Sequence, residues 1–393
     1  MSYAFRDRLA TAENTTWVAV VVAAVLIAAP FFLGGFQTSL LTRTLIFALF
    51  AVAFNLLYGY TGLLSFGHAM FVAVAGYTAA KTASVVAPAL GFGELFGGLA
   101  PIATWLLILV LGVIMATIVA VIIGYLSVRL DEIYFALITL AFSMAIFVVF
   151  LQDTIGELLH AFGMGEGDWS NGSDGLTFLM GDVQALGFEF PLVSLVDPFH
   201  YYFLALFVVT LGLYALWRIV QSPFGMICKA IRENPERARA LGVDVTYHQW
   251  ITFIISGAFS GLAGGLLITL SGQVNPEAHA HWSFSAVPVL MTVIGGPYSF
   301  LGPVFGAFVH EYLRWIIRQY PLLESYWQGS FGLLLLIVVL FLDNGVAGGI
   351  DRFRAWLGVA SNRYSAEGAG GVVALTSETV SGFAATLQKK LSR

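Results

Sequence analysis

Long apolar stretches separated by short polar segments dominate the chain and predict membrane helices. Charge-free runs of 20 residues (Pro198–Trp217) and 32 residues (Val245–Pro276) flank one polar stretch, and each is long enough to cross a bilayer. The runs lack the two-residue alternation of a membrane β-strand, and in lipid every backbone polar group must be paired. The pattern therefore predicts an all-α, polytopic transmembrane helical bundle of about ten membrane segments, several of them short or broken.

These segments divide the chain into a cytoplasmic start (1–16), a transmembrane domain (17–345) and a cytoplasmic tail (346–393). The pattern leaves open whether 59–80 and 283–300 span or re-enter the membrane, and whether the tail forms a surface helix or is disordered. The first segment also resembles a signal peptide, but no cleavage site follows it, so we interpret it as a retained span. The predicted spans are Trp17–Leu33, two within Thr44–Ala80, Pro101–Ile123, Ile133–Leu151, Tyr201–Trp217, Trp250–Leu270, Ser283–Ile294, Leu301–Ile317 and Phe331–Leu342.

Composition agrees with a membrane protein and excludes several other classes. The chain is 59% hydrophobic and 10% charged, whereas soluble domains are about 25% charged. A single cysteine, Cys228, excludes an internal disulfide framework. No basic tract indicates a nucleic-acid partner. No phosphate-binding loop, nucleophile–base pair or metal-ligand spacing occurs in the sequence, so we expect no catalytic or metal site, no cofactor and no ATP hydrolysis by this chain alone.

The distribution of basic residues orients the predicted spans. The 49 residues from Gln152 to His200 contain eight carboxylates and no Lys or Arg, which places this acidic loop outside. The polar stretch 221–249 is basic and belongs inside. With both termini cytoplasmic, inside segments hold 14 of the 18 basic residues and outside segments hold 4. The acidic loop either docks a partner or is merely solvated.

The stretch 221–249 reads as two short helices separated by a break. Ser222-Pro223 opens it with a turn signal, and Pro235 begins a second helix, since the first helical position needs no N–H donor. Gly242 follows as a helix C-cap would. On spacing alone, a solvated loop and a docking loop both fit.

A second polar cluster interrupts the apolar run near residue 60. Asn55, Tyr58, Ser65 and His68 are costly in contact with lipid, and the glycines among them permit a broken helix. Broken helices often build substrate paths, but small residues also let helices pack closely, and the sequence does not choose between these readings. His68 by itself is more typical of a satisfied interior histidine. The candidate path residues are Asn55, Tyr58, Gly62, Ser65, Gly67, His68, Thr139, Ser143, Gly295 and Gly296.

Longer motifs along the chain resemble the LivM-type permeases of branched-chain amino acid ABC importers. They are Gly59–Phe71 (GYTGLLSFGHAMF), Tyr134–Ala141 (YFALITLA), Asn171–Thr177 (NGSDGLT), Ser222–Gly225 (SPFG), Ala240–Val245 (ALGVDV), Ser256–Gly265 (SGAFSGLAGG) and Gly295–Gly302 (GGPYSFLG). They follow the family's order over residues 41–342. Pro297 and Tyr298 depart from the pattern, because the family usually has small residues there.

The resemblance implies a permease subunit in a prokaryotic plasma membrane. Its implied partners are a second, LivH-type permease, two ABC ATPase subunits and an extracytoplasmic solute-binding protein. The stretch 221–249 then becomes the loop that docks on the ATPase, through Lys229, Arg232, Glu233, Glu236, Arg237, Ala238 and Gly242.

The resemblance leaves the cargo and the pairing open. The cargo is a branched-chain or other small amino acid, or else urea or a short-chain amide, and the permease pair is homodimeric or heterodimeric. An ion-coupled secondary transporter is the alternative of another class, although the predicted spans hold few acidic residues. A non-transporting receptor or scaffold would not need glycine-broken spans.

Overall fold

The computed structural model describes residues 21–162, 169–184 and 191–321, and positions 326, 329, 332, 333 and 336. The predicted cytoplasmic start 1–16, most of the span Phe331–Leu342 and the tail 346–393 lie outside the described residues, as do parts of the acidic loop.

Within these ranges the chain is a bundle of helices. The α-helices are α1 (Val21–Phe32), α2 (Gly35–Thr61), α3 (His68–Lys81), α4 (Ala87–Ala89), α5 (Phe92–Phe96), α6 (Ala100–Ser127), α7 (Glu132–Leu151), α8 (Thr154–Ala161), α9 (Pro198–Gln221), α10 (Pro223–Glu233), α11 (Pro235–Ala240), α12 (Val245–Ser271), α13 (Pro276–His279), α14 (Trp282–Gly295) and α15 (Gly302–Arg318). A π-helical turn, Thr82–Val86, joins α3 to α4, and 3₁₀ turns occupy Gly97–Leu99 and Gly172–Asp174.

Two small antiparallel ribbons lie in the connecting segments. Strand β1 (Leu176–Thr177) pairs with β4 (Gln273–Val274), and Leu176 lies opposite Val274. Strand β2 (Asp182–Gln184) pairs with β3 (Pro191–Ser194), with an irregularity between Val183 and Gln184. The first ribbon ties the acidic loop to the segment that follows α12.

Six helical segments in the described part are long and apolar enough to cross a membrane, which confirms a polytopic helical membrane protein. A shorter apolar helix in the described part is α1, at Val21–Phe32. The six segments are Gly35–Thr61, His68–Ala89, Phe92–Ser127, Glu132–Leu151, Pro198–Gln221 and Val245–Ser271.

Helix α2 lies at the centre of the bundle and packs against α9, α12, α14 and α15. It is apolar around its whole circumference, as expected of a helix buried on all sides. The helix begins at Gly35, earlier than the predicted pair of spans within Thr44–Ala80. The hydroxyls of Thr38, Thr42 and Thr44 donate to carbonyl oxygens four residues earlier, so these polar side chains are satisfied inside the helix.

Small residues bring α12 close to α6 and α3. An added methyl group at Gly257 would lie 2.6 Å from the Ala120 side chain, and one at Gly261 would lie 2.3 Å from Ala116. Gly264 faces the backbone of Val72 in the same way. In the segment 256–265 these glycines therefore serve helix packing.

Helices α14 and α15 form a tight hairpin whose backbones touch. A methyl group at Gly295 would collide with the carbonyl group of Gly302, and one at Gly306 would collide with the carbonyl oxygen of Met291. The predicted break at 295–302 is confirmed as a turn, with Gly296 at a φ of 106°. Because the two helices are in backbone contact, we treat the hairpin as one rigid unit.

The two ends of the bundle differ in what they carry. Helix α2 ends beside α10, and we call this end of the bundle the docking end. Helix α2 begins beside Pro198, next to the acidic loop, and we call this opposite end the acidic end. At the acidic end Asp153 anchors the loop by accepting hydrogen bonds from Ser170, Trp169 and Gly156. Partial burial raises the pKa of its carboxyl, but these hydrogen bonds outweigh burial, so the pKa is lowered. The carboxylate therefore stays ionised and holds the start of the described loop against α8.

We expect Gly306→Ala to destabilise the protein by about 1–3 kcal/mol, the usual cost of overpacking. The new methyl group would have to push Met291 away and open the hairpin. Thermal unfolding of the detergent-solubilised protein, followed by size-exclusion chromatography, measures the effect. Gly93→Ala is the matched control, because an added methyl group there meets nothing within 4 Å. Equal unfolding temperatures for the two variants would contradict the close packing.

Candidate functional site

The stretch 221–249 forms two short helices with well-defined ends. Asn234 separates them: its side chain accepts from the Arg237 amide at 2.8 Å and so caps α11, which Pro235 begins. Gly242 follows with a φ of 87°, a left-handed conformation that glycine adopts without strain. The predicted helix, break, helix and glycine cap are all confirmed.

The helix pair is firmly rooted in the bundle. Ile231, Ala238 and Val245 are buried together and join α10, α11 and the start of α12. Cys228 contacts the Thr252 hydroxyl of α12 at 3.4 Å. Burial raises the pKa of the Cys228 thiol, which disfavours the reactive thiolate. The pair is therefore joined to α12 at two places.

The opposite side of the pair is exposed and mixed in character. Glu233, Glu236 and Arg237 present both signs of charge to solvent. Leu241 is 80% exposed and Met226 is 60% exposed. This side of the helix pair therefore combines charges of both signs with two exposed apolar side chains.

Two of the predicted docking residues face the bundle. The Lys229 ammonium lies over the Tyr60 ring, 5.5 Å from its centre. Arg232 donates to the Gly59 carbonyl oxygen at 2.6 Å and pairs with Glu233 at 2.6 Å. Of the seven predicted residues, Lys229, Arg232 and the buried Ala238 therefore attach the pair to the bundle. The exposed members are Glu233, Glu236, Arg237 and Gly242.

Helix α3 begins inside the bundle, beside the middle of α2 and α12. After Thr61 the chain turns at Gly62 and runs back along α2 before α3 starts at His68. The first amides of a helix have no partner within it. The Ser285 hydroxyl of α14 supplies one, because it accepts from the Ala69 amide at 2.8 Å.

The His68 side chain joins three helices at this level. Ser256 of α12 donates to the Ala53 carbonyl oxygen of α2 at 2.6 Å, so its oxygen is left to accept from His68 Nε2 at 2.8 Å. His68 Nδ1 is buried and has no hydrogen-bond partner among the described residues. The ring is interior, as the sequence reading expected, but only Nε2 of its two nitrogens is satisfied within the described residues.

The remaining candidate path residues fall into two groups. Ser65, Gly67, Thr139 and Ser143 are buried near the start of α3, and a methyl group at Gly67 would collide with the Thr139 carbonyl oxygen. Thr139 donates back to its own helix, at Ala136.

The second group lies at the docking end. Asn55 donates to the Ser299 carbonyl oxygen at 3.4 Å, which brings the turn after Gly295 and Gly296 against α2. Tyr58 and Gly62 are half-buried on the last turns of the same helix. The two groups are therefore separated along α2 rather than gathered in one pocket.

Three polar residues of this region were missed by sequence reasoning. Ser256, Ser285 and Thr292 are fully buried and bond to α2 or α3. Thr292 donates to the Ala51 carbonyl oxygen at 3.4 Å. Each is a short polar residue within an apolar helix, which looks the same in sequence as one that bonds back to its own backbone.

The candidate path residues do not line an open cavity. A cavity of about 470 Å³ lies at the acidic end, between Ala83, Pro88, Pro101 and Met180, and none of the ten candidates borders it. Asn55, Ser65, His68, Thr139 and Ser143 instead pack inside the described bundle with less than 1% exposure. Any passage that uses them requires another subunit or another conformation.

Comparison with known proteins agrees with this architecture. Residues 37–340 match the family model described as the branched-chain amino acid transport system / permease component. The chain is 26% identical to the high-affinity branched-chain amino acid transport system permease protein LivM of Escherichia coli, over 84% of this chain and 73% of that protein. It is 24% identical to the probable LivM of Methanocaldococcus jannaschii, over 61% of this chain and 68% of that protein.

A shorter match links the chain to a second kind of permease. It is 41% identical to the probable LivH of Methanocaldococcus jannaschii over 16% of this chain and 21% of that protein. No solved structure matches the chain. Because the family model covers most of the sequence and the helical bundle fits a permease, the chain belongs to the family of branched-chain amino acid transport permease components.

Proposed function

We propose that this chain is one permease subunit of an ATP-driven ABC importer in a prokaryotic plasma membrane. Its partners are a second, LivH-type permease, two ATPase subunits and an extracytoplasmic solute-binding protein. The observation that carries the proposal is the α10–α11 pair, which is rooted in α2 and α12 and presents an exposed, mixed surface at the docking end. A separate motor is needed, because the sequence has no phosphate-binding loop.

The cargo we propose is a branched-chain or other small amino acid. The matching relatives named LivM support this, since their printed names refer to branched-chain amino acids. The candidate path residues are packed inside this chain, so the passage that we propose requires the second permease or another conformation. Urea and short-chain amides are the competing cargoes, and uptake of radiolabelled leucine, urea and acetamide by the same complex separates them.

In this proposal the docking end faces the cytoplasm and the acidic end faces outward. The excess of basic residues in 221–249 supports this orientation, as does their absence from 152–200. The binding protein then meets the acidic loop, and both termini are cytoplasmic.

Docking variants test the contact with the motor. We expect charge reversal at Glu236, by Glu236→Arg, to lower uptake at least tenfold and to release the ATPase during purification. Gly242→Pro has the same expected result, because proline cannot adopt the φ of 87° found there. Membrane insertion stays intact, since Glu236 is exposed and Gly242 has open space around it. Normal uptake by both variants would refute the docking role.

Thiol labelling tests the orientation. We expect Leu241→Cys to be protected from a membrane-impermeant maleimide in intact cells and labelled after lysis, whereas Leu179→Cys is labelled in both. Both positions are highly exposed and lie at opposite ends of the bundle. Native Cys228 gives little background, because it is buried and its raised pKa disfavours the reactive thiolate. The reverse labelling pattern would overturn the orientation.

The energy source separates the importer from an ion-coupled transporter. Proteoliposomes that contain the whole complex should take up leucine only with ATP inside and binding protein outside. Uptake should also persist when ionophores collapse the ion gradients. Uptake by this chain alone, driven by a gradient, would favour the secondary transporter and contradict the proposal.

A further inference from the structure

One guanidinium group at the docking end contacts two parts of the chain that are distant in sequence, as well as its neighbour on the same helix. Arg232 of α10 donates from Nη1 to the Gly59 carbonyl oxygen at the end of α2. Its guanidinium carbon lies 4.9 Å from the centre of the Tyr298 ring, in the turn between α14 and α15. The exposed Glu233 carboxylate forms an ion pair with the same guanidinium group, with Oε1 at 2.6 Å from Nη2. Tyr298 is one of the two positions at which this sequence departs from the motif it otherwise resembles.

The end of α2 is suited to hold a cation. The last carbonyl groups of a helix have no partner within it, and the helix dipole is negative at this end. The Gly62 amide closes α2 by donating to the Tyr58 carbonyl oxygen, and Arg232 donates to the neighbouring Gly59 carbonyl oxygen. The arginine stem passes beside Gly62, and its Cγ lies 3.5 Å from the position that a methyl group at residue 62 would occupy, an ordinary contact distance.

The turn that carries Tyr298 belongs to the rigid α14–α15 hairpin. It rests on α2 through the bond from Asn55 to Ser299, and through the carbonyl oxygen of Pro297, which lies against Gly59. Further into the bundle, the Ser285 hydroxyl of the same hairpin accepts a hydrogen bond from the Ala69 amide at the start of α3. Glu311 of α15 pairs with Arg43 of α2 at 3.1 Å, toward the acidic end. The hairpin therefore links the turn at Tyr298 to the start of α3.

We propose that Arg232 is a positioning residue that transmits movement of the docking helices to the α14–α15 hairpin, with Tyr298 as its contact on the hairpin. The inference rests on the proposed function, since it assigns a role within the same transport cycle. An arginine suits this role because its planar group can donate to a carbonyl oxygen and stack on a ring at the same time. A lysine offers a point charge that cannot do both.

The experiment uses the whole complex in proteoliposomes, with radiolabelled leucine and its binding protein. The measured quantity is leucine transported per ATP hydrolysed, which a merely structural defect in assembly would not change. We expect Arg232→Gln to leave subunit co-purification intact and ATP hydrolysis within about twofold, and to lower this ratio at least tenfold. Arg218→Gln is the control: it removes the same charge at the exposed end of α9 and should leave the ratio unchanged.

Variants at Tyr298 test the contact from the other side. Tyr298→Phe keeps the ring and should keep the ratio, whereas Tyr298→Ala should lower it. The double variant Arg232→Gln/Tyr298→Ala should be no worse than Arg232→Gln alone, because residues that act as one unit are not additive. Fully additive losses would overturn the shared role.

The outcomes separate this inference from the proposed function. If the unaltered complex transports leucine with ATP and Arg232→Gln keeps a normal ratio, the transmitting role is wrong and the importer stands. If Arg232→Gln fails to assemble, Tyr298→Ala decides, since it lies outside the docking helices: a normal ratio overturns the inference and a lowered ratio supports it. If the unaltered chain binds no ATPase, the proposed function and this inference fall together.

Discussion

The structure depends on the pairing of backbone groups where a helix begins away from water. Helix α3 starts inside the bundle, and in such a place an unpaired amide costs several kcal/mol. The Ser285 hydroxyl accepts a hydrogen bond from the Ala69 amide. The hydrogen bonds of Ser256 to His68 and to α2 fix the start of α3 to α2 and α12. These bonds require α14 and α12 to lie where they do, so the broken helix determines the positions of its neighbours.

The same bonds connect the two ends of the molecule. The α14–α15 hairpin contacts α3 within the bundle, and its turn contacts α2 and Arg232 at the docking end. Close-packed interiors transmit displacement instead of absorbing it. In the proposed importer the subunit needs such a connection, because ATP is hydrolysed on a partner subunit and not on this chain. The glycines of the hairpin provide it by bringing the two backbones into contact.

The sequence was a good guide to elements whose signals are local. Asn234 and Pro235 predicted the break between α10 and α11, and Gly242 predicted the left-handed cap, because each signal reflects the backbone preference of a single residue. It was a poorer guide to the roles of Lys229 and Arg232. Both looked like docking charges, yet they face Tyr60, Gly59 and Tyr298, which are distant in sequence.

The sequence by itself determined that this chain is a helical membrane protein with a charged helix pair, because hydrophobic length and local breakers are properties of the chain. The family resemblance followed from the order of its motifs. The tertiary structure decided which polar residues meet: that Ser285 caps α3, that Ser256 bonds to His68, and that Arg232 joins three elements. A serine or arginine has the same local pattern whether it bonds to its own helix, to solvent or to a distant helix. The choice among them is made only when the helices pack.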